Sequence, residues 1–170
     1  MNDLRMLNKI KRSKFNEIFK MLDLIILNFG DPIKFSLHVA SDVRICKGDK
    51  IIFNVSDEFF TKEGIYKSDE IGSDEQEANP NNLLEENLKK VNVLLTGKTP
   101  KRIKISKWKD LVIQFSDKIE IQIMQDCLGI NYEYYRYIEY VPHYDSDPNK
   151  YSSIHYVVYN AQGRPKMKKE

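Results

Sequence analysis

If this chain performs chemistry, it has few side chains to perform it with. There are three histidines, His38, His143 and His155, and two cysteines, Cys46 and Cys127. The histidines show no HxH or HxxxH spacing, so no imidazole-based metal site is expected. The cysteines are far apart and form no CxxC pair, which reads as two free thiols in a reducing compartment. One grouping has acid–base potential. His38, Asp42 and Arg44 fall on alternate positions of a strand pattern and share its polar face. No nucleophile accompanies them, so the set reads first as a solvated or hydrogen-bonded face and second as a small enzyme's site. No catalytic residue, metal ligand or cofactor is assigned.

Thr96-Gly97-Lys98-Thr99 resembles the end of a phosphate-binding loop. That loop needs a glycine five positions before Gly97, where this chain has Asn92, and a helix after the lysine, where it has Pro100. The stretch is expected to be a turn. Asp57-Glu58, Asp69-Glu70 and Asp74-Glu75 make one region acidic, but a calcium loop opening at Asp69 would place Pro80 where its closing glutamate belongs. The same acids are candidate contacts for a protein partner: Asp57, Glu58, Asp69, Glu70, Asp74 and Glu75. Tyr132 to Tyr140 is crowded with tyrosine, and Tyr135 and Tyr137 are candidate contacts on the face they share. Lys101, Arg102, Lys104, Lys107 and Lys109 concentrate positive charge near aromatic residues, the footprint of a single-strand nucleic-acid surface. The overall charge of +2 is nearly balanced and does not favour that partner.

The elements carrying these residues follow from periodicity. Phe35, Leu37, Val39, Val43 and Ile45 are apolar at odd positions, Lys47 to Lys50 interrupts, and Ile51, Phe53 and Val55 resume the phase. A long amphipathic hairpin between Ile33 and Phe60 is expected, dry on one side and wet on the other. Before it, Leu4, Leu7, Ile10, Phe15, Ile18, Phe19 and Leu22 recur at three- and four-residue spacing, which predicts an N-terminal helix over 1–22, whole or broken near Ser13. Residues 23–29 predict a strand buried on both faces. An acidic loop is expected at 61–80, then a short helix opened by Asn81-Asn82 with Leu83, Leu84 and Leu88 as its stripe. Val91, Val93 and Leu95 alternate and start a second β-region. Strands follow around 103–105, 111–115, 119–123, 131–141 and 151–159, and 163–170 is expected to be a frayed basic tail.

The sum is a single α+β domain over residues 1–170: an N-terminal helix, then a largely antiparallel, bent sheet or partial barrel, with one short helix in the middle. One hundred and seventy residues are enough for a core without staples. Residues 1–14 lack the apolar run of a secretory leader, and Met21 to Phe29 is too short to span a bilayer. The expected location is the cytoplasm, with no membrane partner.

Leu37-His38, Arg44-Ile45, Ser56-Asp57, Lys109-Asp110-Leu111 with Phe115, and Tyr134-Tyr135-Arg136-Tyr137 together resemble a loose group of small bacterial proteins, some of them immunity-like. The resemblance covers roughly residues 20–141. It implies a non-enzymatic cytoplasmic protein that masks a protein partner, and it brings no catalytic residues.

Overall fold

Strand pairing decides this architecture. The computed structural model describes residues 6–65, 82–125, 129, 131–142, 151–161 and 165–170. Among them are eleven strands and one α-helix: β1 (Phe15–Met21), β2 (Leu24–Phe29), β3 (Phe35–Val39), β4 (Val43–Lys47), β5 (Lys50–Asn54), α1 (Leu83–Leu95), β6 (Arg102–Ile105), β7 (Leu111–Gln114), β8 (Ile119–Ile123), β9 (Glu133–Pro142), β10 (Tyr151–Asn160) and β11 (Pro165–Lys169). They form two antiparallel sheets, in the orders β1-β2-β3-β9-β10-β11 and β5-β4-β8-β7-β6. The fold is therefore a small, all-β-like one with a single helix, not an α+β chain headed by an N-terminal helix.

That helix is replaced by helical turns within 6–12 and by β1. The helical spacing has a local cause. A bulge lies between Phe15 and Glu17, which pair with Phe29 and Asn28. The extra residue, Asn16, brings Phe15 and Ile18 onto the same dry face although they are three positions apart. A bulged strand thus imitates the spacing of a helix.

The stretch from Ile33 to Phe60 is likewise not one hairpin. β3 pairs with β2 and β9 in the first sheet, whereas β4 pairs with β5 and β8 in the second. The chain crosses between sheets at residues 40–42. Ala40 and Ser41 both donate their N–H to the Tyr134 carbonyl, and the Tyr132 hydroxyl donates to the Ala40 carbonyl at 2.9 Å. The sorting of side chains survives the change of sheet: Leu37, Val39, Val43, Ile45 and Phe53 are buried. Ile51 is the exception and is exposed. A register shift pairs Ile45 with Phe53 but Cys46 with Ile51, which turns Ile51 outward.

The two sheets enclose one apolar core, to which α1 adds Leu84, Leu88, Val91 and Leu95. These lie at helical intervals, so the helix continues through the stretch whose alternation suggested a strand. Asn82 caps it by accepting the Glu85 N–H at 2.9 Å. Residues 96–99 form a turn, with Gly97 at φ +82°. β2 is buried along nearly its whole length, as its composition suggests. Gly30 closes it at φ +101°, where a Cβ would lie 2.8 Å from the Pro32 carbonyl oxygen. The basic tail is ordered as β11, from Pro165 to Lys169, paired with β10.

Candidate functional site

His38, Asp42 and Arg44 are not gathered into one site. Arg44 on β4 donates from Nε to Gln122 Oε1 at 2.7 Å, on the outer face of the second sheet. There Gln122 and Gln114 both donate to the Glu120 carboxylate, and the Gln114 amide does most to hold that carboxyl below its usual range. The Asp42 carbonyl accepts the Met124 N–H at 2.9 Å. His38 lies in the first sheet, opposite Arg136 in the β3–β9 register.

Its electrostatic neighbours are His155, Arg136 and Glu133, residues from β9 and β10. Burial is the largest influence on the His38 imidazole and pushes its pKa down; His155 and Arg136 push the same way, and Glu133 opposes them. Arg136 is held by Glu133 through two bonds, Nε to Oε1 at 3.1 Å and Nη2 to Oε2 at 2.9 Å, and it meets Glu170 at 3.2 Å. His155 Nε2 lies 2.8 Å from Ser153 Oγ, and Arg136 Nη1 lies 3.5 Å from His155 Nδ1.

A serine beside a histidine suggests a nucleophile and its base, but the geometry opposes it. A guanidinium can only donate, so the Arg136 contact at 3.5 Å favours a lone pair on Nδ1 over one on Nε2, the nitrogen facing Ser153. A base needs that lone pair free on the serine side, with a carboxylate behind the ring. Here a cation stands behind it. The group is a polar network on a sheet face. Among the described residues no set of three or more metal-binding side chains occurs.

The proposed partner contacts fall into three groups. Asp57 is structural: it accepts the Asn54 N–H at 3.0 Å and Asn87 Nδ2 at 2.8 Å. Glu58 pairs with Lys20. Tyr135 and Tyr137 are in the core, with Tyr137 stacked on Phe35 at 5.8 Å, so neither presents a contact surface. Asp69, Glu70, Asp74 and Glu75 lie outside the described residues, as do Cys127 and His143.

The side chain that periodicity passed over is Trp108, the only tryptophan in the chain. It sits in the β6–β7 turn and is 71% exposed. The turn is built for it. Ser106 Oγ accepts the N–H of Trp108 and of Asp110, each at 3.1 Å, and donates to Asp110 Oδ2 at 3.0 Å. Asp110 Oδ1 accepts the Gln125 N–H at 3.1 Å. Lys107 Nζ lies 4.9 Å from the indole centroid. The available signal was a lone tryptophan between two lysines at a strand-to-strand turn.

Two grooves lie elsewhere on the surface. One, about 990 Å³ and open, is lined by residues of mixed charge, among them Lys101, Arg102, Asp117 and Glu120. The other, about 540 Å³, lies between α1 and the β4–β5 hairpin. None of the residues of the His38 network lines either.

Comparison of the chain with family models, with curated proteins and with solved structures finds no match in any of the three. The resemblance to immunity-like proteins gains no support there, and function has to be argued from the side chains. No described helix is long and apolar enough to cross a membrane.

Proposed function

We propose that this chain is a non-enzymatic protein-binding module of the cytoplasm, acting by covering a partner, as an immunity-type protein does. One observation carries the reading: Trp108 is held out in solvent on a turn fixed by side-chain hydrogen bonds. Tryptophan, with tyrosine and arginine, is enriched at the hot spots of protein interfaces, and a preordered loop loses little freedom when it docks. Flanking Lys107 and Lys109 favour an acidic rim on the partner. The His38 network argues for structure rather than turnover, because its base faces a cation.

The test is capture from native-host lysate with the full chain as bait. A stoichiometric protein partner is expected, lost with Trp108→Ala, while the variant unfolds at the same urea concentration as the parent. Capture that ignores Trp108→Ala would sink the proposal. So would capture abolished by nuclease, which would point to nucleic acid bound by Lys101 to Lys109.

A further inference from the structure

We propose that the groove between α1 and the β4–β5 hairpin docks an acidic amphipathic helix of a partner protein. Its apolar side would lie against Ile52, Val93 and Leu94, and its carboxylates against Lys47, Lys90 and Lys98. This surface is independent of Trp108. The register places the β6–β7 turn beside the Leu111–Ile123–Val43 end of the second sheet, whereas Lys47 and Ile119 mark the opposite end.

α1 carries more apolar residues than the core takes up. Leu84, Leu88, Val91 and Leu95 supply the core, and Val93 points away from it, 90% exposed. Valine is a poor choice for a solvated helix position, since it loses rotamer freedom there and buries nothing. Beside it Leu94 and Ile52 are only half-buried, so the apolar surface is continuous across helix and hairpin.

The rim is cationic. Lys90 reaches Glu86 at 3.5 Å but stays largely exposed, and Lys98 holds Asp117 at 2.6 Å. Lys47 adds its field at Asp117. Three ammonium groups thus stand against two carboxylates, which leaves the rim with a net positive charge.

That charge selects the occupant. A second copy of this chain, docked face to face, would bring two sets of the same three lysines together. Among the described residues no aromatic side chain lines the groove to stack a base. A small ligand would need convergent polar groups on the floor, and the floor here is aliphatic. An amphipathic helix with leucines at i, i+3, i+4 and i+7 and glutamates elsewhere satisfies both floor and rim.

The experiment titrates the full chain into a fluorescein-labelled synthetic peptide of that pattern, about 15 residues long. Anisotropy is expected to rise on binding and to fall with added salt. Val93→Glu and Lys90→Glu should each weaken binding by about tenfold or more. Val93 is in solvent, so its variant should keep the parent's denaturation midpoint. A scrambled peptide of the same composition should bind about tenfold more weakly. Equal affinity for the scrambled peptide, indifference to Val93→Glu, or no anisotropy change at about 1 mM chain would overturn the proposal. So would self-association abolished by Val93→Glu, or binding to phosphatidylserine vesicles without binding to the peptide.

Discussion

Asn92 of α1 and Ile18 of β1 exchange two hydrogen bonds, Ile18 N–H to Asn92 Oδ1 and Asn92 Nδ2 to the Ile18 carbonyl, each 2.8 Å. A helix side chain thereby does for β1 what a neighbouring strand would do. The contact continues along the edge. Thr96 Oγ1 donates to the Asn16 carbonyl at 2.9 Å, Gly97 N–H to the Phe15 carbonyl at 2.8 Å, and Phe15 N–H to the Lys98 carbonyl at 2.8 Å. An open edge strand invites pairing with another chain, and this one is closed by α1 and the turn after it.

Removing the carboxamide should therefore destabilise the fold. Asn92→Ala leaves one backbone donor and one acceptor of β1 without their partner, a loss of about 1–2 kcal/mol. Asn92→Asp should cost more at neutral pH, because its second oxygen faces the Ile18 carbonyl instead of donating to it. Acidification should restore part of that difference, since a protonated carboxyl can donate again. Urea denaturation of both variants at two pH values reads the result. An Asp variant as stable as the parent at neutral pH would refute the bidentate role.

Tyr137 makes the opposite case. Its ring is fully buried between Phe35 and Tyr156, and its hydroxyl has no hydrogen-bond partner among the described residues. Burial, then the nearby Glu139 and Tyr156, drives its pKa far above the ordinary tyrosine value, so the hydroxyl keeps its proton. A desolvated, unpaired hydroxyl is a liability. Tyr137→Phe should leave stability unchanged or raise it by about 1 kcal/mol in the same denaturation assay. A loss of that size would mean that the hydroxyl is bonded in solution.

How far these relationships were legible in the sequence depends on how local their causes are. Alternation in β6, β7 and β8 is local, and those strands stand where the pattern puts them. The Asn82 cap and the turn at 96–99 are local as well. A bulge is a local event with a misleading signature: Asn16 shifts Phe15 and Ile18 into helical spacing, and the shift near Ile52 turns Ile51 outward. Val91, Val93 and Leu95 alternate inside a helix because Val93 serves no core contact, so its poor fit to the helical stripe was itself the clue to the groove. The partition into two sheets is not local. β3 meets β9 across most of the chain, and only that pairing puts Arg136 opposite His38. The reading that joined His38 to Asp42 and Arg44 used sequence neighbours where the fold uses strand neighbours.

Trp108 offers a spectroscopic check on its turn. As the only tryptophan, it reports alone. Being 71% exposed, it should emit at nearly the wavelength of free indole in water, with little shift on unfolding. Ser106→Ala removes the acceptor for two turn N–H groups and the donor to Asp110. The expected result is a drop in Trp108 anisotropy and a stability loss of about 1–2 kcal/mol. Unchanged anisotropy would show that the serine does not stiffen the turn, and the case for a preordered anchor would weaken with it.

His38 should give the fold a measurable pH dependence. Burial weakens its proton affinity in the folded chain, helped by His155 and Arg136 and opposed by Glu133, so the folded pKa lies below the reference of 6.5. The unfolded chain then binds a proton that the folded chain refuses. Stability must fall as pH drops through 6.5 and level off below the folded pKa, while above 6.5 this group contributes no slope. One such proton gives at most about 1.4 kcal/mol per pH unit, and a partly exposed ring gives less. Subtracting the His38→Gln curve from the parent's, between about pH 5 and pH 8, isolates the effect from other titrating groups. The parent should lose more stability than the variant on the acid side and match its slope on the alkaline side. Parallel curves throughout would mean that the imidazole is as well solvated in the folded chain as in the unfolded one, and the network around Arg136 would then not act on it.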